Sequence, residues 1–235
     1  MRRGVLYSAT GDQHFQEALR SARSSLRFNR MHHLIYTDRP APPDGNGIAF
    51  GAIKNAGNPF ADRIAALRAS PFEQTLHLDT DTHIAADLGE VFDLLERFDV
   101  ALAHAAGYLG EADPEVPPAF YELNAGVIAY RKSPAVWQWL ETWRATYLDW
   151  IASEPFPNAG RGNGTDQPAL RRTLWQSGLS MYVLGPEYNC RTIHPMRLVG
   201  PAKIIHGRPA DYEATLTHLN TGAPDSRIFP ELTER

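Results

Sequence analysis

The sequence predicts an α/β fold with a mostly parallel central sheet and helices on both faces. Three observations carry that prediction. Apolar runs of strand length alternate with amphipathic helical patterns, as βα units require. The first run, GVLYSAT at 4–10, ends in small polar residues, as a parallel strand feeding a loop does. At 235 residues, 43% apolar and 21% charged, the chain has the length and composition of one α/β domain with a full core.

Each element follows in order. After the strand at 4–10, Phe15, Leu19, Ala22 and Leu26 recur at helical spacing in DQHFQEALRSARSSLRF, with Asp12 as the expected cap. HHLIYTD at 32–38 reads as the second strand, and RPAPPDGNG as a turn before the short apolar stretch IAF. KNAGNPF is a loop and ADRIAALRAS a helix. LHLDTDTHIAADLGEVFDLL at 76–95 then gives a buried strand, an acidic corner and an amphipathic helix. DVALAHA at 99–105 is another strand.

The stretch at 106–122 is rich in Gly, Pro and acids, the composition of a long functional connection. VIAYR reads as a strand. SPAVWQWLETWRATYLDWIA is a helix with Ser133 at its cap and Pro134 in its first turn. Its stripe of Trp137, Leu140, Trp143, Tyr147 and Trp150 is read as core rather than as a sugar-stacking face. SEPFPNAGRGNGT at 153–165 is a loop, DQPALRRTLWQ a helix, SMYVL and AKIIHGR strands, and DYEATLTHL a short helix. No repeat or linker divides the chain, so one domain over 1–235 is expected.

Composition also excludes. A net charge of −4 leaves no basic surplus to neutralise phosphates, so a nucleic-acid partner is not expected. Cys190 is the single cysteine, which rules out an intrachain disulfide and a Cys-rich zinc site. The first residues lack a signal-peptide apolar region and no run reaches transmembrane length, so the chain reads as cytoplasmic.

The chemistry centres on Asp79 and Asp81. Carboxylates at i and i+2 of an extended chain point to one side, and like charges that close call for a cation between them. They stand at the carboxyl end of a strand, where open α/β sheets bind ligands. Two carboxylates with open positions suit a hard divalent ion held together with substrate phosphates. The plain alternative is one helix-capping Asp and one solvated Asp. His206, after Ile204-Ile205 at another strand end, is either a core histidine or a third ligand. Two carboxylates and an imidazole suit Mn²⁺ and tolerate Mg²⁺. Asn124, Ala125 and Gly126 open a strand with small residues that let a ligand approach the backbone. Asp166 and Gln167 are either the cap of their helix or a carboxylate and an amide presented to sugar hydroxyls.

Taken in order, LHLDTD, YELNAGVIAY, TDQPAL and AKIIHG resemble the GT-A glycosyltransferases of the glycogenin and bacterial lipopolysaccharide galactosyltransferase type (glycosyltransferase family 8). That resemblance implies a single GT-A, Rossmann-like domain. It implies a UDP-sugar donor, Mn²⁺ on Asp79, Asp81 and His206, and a carbohydrate, glycolipid or protein acceptor. Tyr7, Ser8, Ala9 and Thr10 would line the base and ribose pocket, and Lys54, Asn55 and Arg63 the donor stretch. Asp79 would also face the nucleotide. Asn124, Asp166 and Gln167 would meet the transferred sugar, with retention of configuration. After the histidine the family often carries Gly and Lys-Pro-Trp, where this chain has HGRPADY, leaving Arg208 as the phosphate clamp. The 153–165 loop would close over the donor, and 106–122 would help select the acceptor.

Three other readings remain. A haloacid-dehalogenase-type phosphohydrolase also uses D-x-D at a strand end, but wants Thr or Val where His83 stands. A non-catalytic nucleotide-sugar-binding protein of the same fold would keep these residues. A nucleotidyltransferase would need a basic, Gly-rich loop after the first strand, which YSATGD is not.

Overall fold

A computed structural model describes residues 3–54, 56–105, 113–153, 164–223 and 227–229. Seven strands form the central sheet: β1 (Arg3–Ala9), β2 (His32–Thr37), β3 (Ile48–Ala52), β4 (Gln74–Leu78), β6 (Val100–His104), β7 (Leu123–Arg131) and β8 (Met181–Leu184). Their order is β3-β2-β1-β4-β7-β6-β8. All neighbours are parallel except β7, which runs antiparallel to both β4 and β6. The start of β7 therefore lies at the same edge as the carboxyl ends of β1, β4, β6 and β8. That edge is where the predicted motifs converge.

Helices cover both faces. On one side α1 (Asp12–Leu26) and α3 (Gly89–Leu94) pack Phe15, Leu19, Val91 and Phe92 onto Val5, Tyr7, Leu76 and Leu78. On the other, α2 (Pro59–Arg68), α4 (Pro134–Ala152) and α5 (Gln167–Ser177) bury Ile64, Leu140, Trp143, Tyr147 and Leu170 against Leu102, Ile128 and Tyr130. Burying Trp143 and Tyr147 removes apolar area worth about 2–3 kcal/mol for each ring. The aromatic stripe of α4 is core, as expected, with Trp137 and Trp150 at its margin. Ser133 caps α4 by accepting from Val136 N at 3.2 Å.

Asp12 does not cap α1. Gly11 holds the cap position at φ 86°, a left-handed conformation suited to glycine, and donates its N–H to Asp38 Oδ1 at 2.9 Å. Asp12 pairs with Arg39 instead. The acidic corner also begins a feature absent from the sequence reading. β5 (Thr82–Ile84), β9 (Cys190–Arg191) and β11 (Ile204–His206) form a small second sheet in the order β5-β11-β9. Strands this short lack a periodicity that sequence could reveal. β10 (Met196–Arg197) pairs with β12 (Ile228–Phe229), and α6 (Tyr212–Asn220) is capped by Asp211. No helix of the described residues is long and apolar enough to cross a membrane.

Candidate active site

Asp79 follows β4 directly, and its N–H donates to Gly126 O on β7 at 2.8 Å. The corner is then pinned twice more. Thr82 Oγ1 donates to Asp79 O at 2.8 Å, and Gly207 N to Asp81 O at 2.9 Å. In the small sheet His206 is in register with Thr82 on one side and Arg191 on the other. Through this pairing a histidine distant in sequence meets the two aspartates. His206 Nε2 lies 3.4 Å from Asp81 Oδ1 and 3.7 Å from Asp79 Oδ2. One ligand atom from each residue falls within 4.8 Å of the others.

The surroundings fit a divalent cation. Asn189 Oδ1 lies 2.7 Å from His206 Nδ1, so Nδ1 donates and Nε2 is turned to the carboxylates. A divalent ion between the three residues would be met by the unprotonated Nε2 and by one oxygen of each carboxylate. Gly126 leaves the room. A Cβ there would meet the His206 ring and come 2.7 Å from Asp79 Oδ2 and 2.9 Å from Asn124 Oδ1. Ion pairs continue outward in one connected line: Glu17 to Arg208, Arg208 to Asp81, and Asp79 through Arg63 to Asp166. Along this line four carboxylates face two guanidiniums, an acidic excess that favours a cation.

Arg63 is the pivot. It is buried, with Nη1 2.8 Å from Asp79 Oδ1 and Nη2 on Asp166 Oδ1. Burial alone would raise the Asp79 pKa, but Arg63 and then His206 hold it well below the carboxylate range. Asp166 has lost all contact with solvent. There burial prevails over Arg63 and the pKa moves up. The Asp81 pKa is lowered because hydrogen bonding and charge from His206 outweigh its burial.

The capping alternative for Asp166 is not realised: it makes no side-chain cap bond, and its carboxylate goes to Arg63. Trp143 Nε1 fixes the Asp166 backbone oxygen at 3.0 Å, so the α4 core stripe supports the site from beneath. Gln167 Oε1 accepts from Asn124 Nδ2 at 2.6 Å, and its Nε2 donates to Glu122 Oε1 at 2.9 Å. Asn124 Oδ1 accepts from Gly126 N at 3.1 Å. Asn124, Asp166 and Gln167 are thus brought together.

Two adjoining cavities open on the corner, sharing Phe60, Arg63, Asp79 and Asp81. The first, about 360 Å³, is lined also by Ser8, Thr10, His14 and Arg208. The second, about 230 Å³, is lined by Asn124, Asp166, Gln167, Arg191 and His206.

Some predicted contacts fall elsewhere. Tyr7 and Ala9 are fully buried in the core, because alternate residues of β1 point away from the cleft. The Tyr7 hydroxyl accepts from Ser21 Oγ at 3.2 Å, and burial drives its pKa up. Lys54 is exposed and lines neither cavity. Arg208 stands at the first cavity but grips Glu17 through two nitrogens, at 2.7 and 3.0 Å. Asn55, residues 106–112 of the acceptor loop and residues 154–163 of the expected lid lie outside the described residues.

Sequence reasoning missed His14, Phe60, Asn189 and Arg191. Phe60 and Arg63 are three apart on one helix and stack at 5.4 Å, a spacing that could have linked them. Asn189 had no such signal, since the small sheet alone brings it to His206.

No known family profile matches the chain, and no curated protein matches it. Solved structures do. The galactosyltransferase LgtC, crystallised with donor and acceptor sugar analogs, superposes with a TM-score of 0.58 at 15% identity, over 88% of this chain and 87% of that one. The glycosyltransferase GlyE of Streptococcus pneumoniae TIGR4 gives the same TM-score and identity over 95% of this chain, which spans 57% of GlyE. The chain has the GT-A fold that its motifs resemble.

Proposed function

We propose that this chain is a metal-dependent glycosyltransferase that moves a sugar from a UDP-linked donor, with retention of configuration, to a carbohydrate-containing acceptor. One observation carries the reading: Asp79, Asp81 and His206 converge at the sheet edge, between two adjoining cavities of unequal size. The larger suits a nucleoside beside Ser8, Thr10 and His14, and the smaller a hexose beside Asn124, Asp166 and Gln167. The diphosphate then crosses the acidic corner.

Mn²⁺ on those three residues would supply the Lewis acid that stabilises charge growing on the diphosphate leaving group, worth several kcal/mol. The chain's own groups do the rest. Arg63 fixes Asp79 and Asp166 relative to each other. Asp166 Oδ2 is buried without a partner among the described residues, and in this reading its charge would face the transferred sugar. The Asn124–Gln167–Glu122 chain locks both amides so that hydroxyls are met by preset dipoles. The phosphohydrolase reading needs Asp79 as a free nucleophile, whereas Arg63 holds one of its oxygens.

The test is calorimetric titration of UDP and GDP with and without Mn²⁺, followed by a UDP-sugar hydrolysis screen. UDP binding that needs Mn²⁺, lost in Asp81→Ala and His206→Ala, is expected. Asp166→Asn should spare that binding and cut turnover. Binding of neither nucleotide would overturn the reading. Metal-dependent binding with no turnover of any UDP-sugar would leave a binding protein.

A further inference from the structure

A third cavity, of about 240 Å³, opens at the same sheet edge, at the carboxyl ends of β6 and β8. Arg191 lines both it and the sugar-side cavity, so the two are neighbours across one side chain. Its wall contains Arg191, Arg197, His104 and His194, and no carboxylate among the described residues. In a chain of net charge −4 that is a local reversal of sign. Glu187, the acid nearest in sequence to this wall, is turned away and accepts from Val199 N and Gly200 N at 2.6 and 2.8 Å.

Unmet donors mark the same place. Arg191 Nε and Asn189 Nδ2 are both buried without a hydrogen-bond partner among the described residues. A buried donor left unpaired is costly, so such groups gather where a ligand completes them. Asn189 uses its oxygen to hold His206, which leaves only its amide hydrogens for this cavity. The register of β6 on β7 shifts between Leu102 and His104, and both Ala103 and His104 line the wall. Bulges re-aim side chains in this way beside sites. At the rim the half-exposed Tyr121 ring lies 6.1 Å from His104 and offers an aromatic face.

We propose that this third cavity is the acceptor site and that it takes an acidic saccharide, one carrying a carboxylate or a phosphate. Arg191 and Arg197 bind the anion, Asn189 Nδ2 adds a neutral donor, and Tyr121 flanks the sugar ring. An anion gripped there places the rest of the saccharide against Arg191, at the boundary with the transferred sugar. The assignment of this cavity to the acceptor rests on the glycosyltransferase reading; its charge preference does not.

The experiment measures binding of methyl glucuronide, glucose 6-phosphate and neutral methyl glucoside by protein-observed NMR, with and without UDP and Mg²⁺. Either acidic sugar should bind about tenfold more tightly than the glucoside, as two charge-assisted contacts imply. Which acidic sugar binds better separates carboxylate from phosphate. The preference should vanish in Arg191→Gln and weaken in Arg197→Gln, an exposed position that leaves folding unaffected. Equal binding of all three sugars, or an undiminished preference in both variants, overturns the proposal. UDP binding without an acidic preference removes this inference and leaves the donor reading standing. An acidic preference without UDP binding keeps the anion site and removes its role as an acceptor site.

Discussion

Asn189 Oδ1 and His206 Nδ1 lie 2.7 Å apart in a pair that both residues bury, and this contact decides which face of the imidazole the acidic corner meets. Partners of that kind fix tautomer and ring direction, and their loss typically costs about 10–100-fold in metal affinity. Asn189→Ala should weaken Mn²⁺ binding by about that factor while Asp79, Asp81 and His206 remain. Titration of Mn²⁺ followed by electron paramagnetic resonance checks it. An unchanged affinity would mean that the small sheet orients His206 unaided.

Gly126 has the opposite task, which is to be absent. Its missing side chain leaves the space between His206, Asp79 and Asn124, and any Cβ would lie 2.7 Å from Asp79 Oδ2. Gly126→Ala should cost about 1–3 kcal/mol in overpacking and displace His206 from the carboxylates. Thermal unfolding would report the first effect. Loss of Mn²⁺-dependent UDP binding would report the second, and a variant that kept both stability and binding would show that the corner can open.

How much of this was legible depends on the range of the signal. The βα alternation, the α4 stripe and the Ser133 cap are local, and each was read within a few residues of its place. Asp79 and Asp81 were legible because two acids ending an apolar strand need an explanation. Tyr7 shows the limit: period two on β1 sends alternate residues into the core, and the motif alone did not say which. Asn189 and Arg191 were invisible because they join the site through a small sheet whose longest strand is three residues. Arg63 was found, but not its role, since bridging two carboxylates depends on α2, β4 and α5 together.

That bridge yields a stability prediction. Arg63→Met would leave Asp166 buried and uncompensated, and breaking such a pair typically costs about 3–5 kcal/mol. Denaturant unfolding of Arg63→Met should show a loss of that order. The double variant Arg63→Met with Asp166→Asn should regain part of it, because the charge left behind is then gone. Equal stability of single and double variants would mean that Asp166 takes up a proton rather than remaining charged.

Acid should destabilise the fold through two buried histidines, His33 far from the site and His77 beneath it. His33 is buried, donating from Nδ1 to Met31 O and accepting at Nε2 from Ser25 Oγ, both at 2.9 Å, a neutral-ring arrangement. Burial drives its pKa from 6.5 down to about 4. The unfolded chain therefore binds a proton below pH 6.5 that the folded chain refuses until about pH 4. The His33 contribution is complete above pH 6.5, falls as the pH drops between these values, and is level below them. The full loss is at most about 3 kcal/mol. His77, pushed by burial to about 3, extends the same slope further into acid. Urea unfolding from pH 7.5 to 4 should show stability declining with acid, and His33→Gln should flatten that decline without abolishing it. A variant with the parent's slope would place the proton uptake elsewhere.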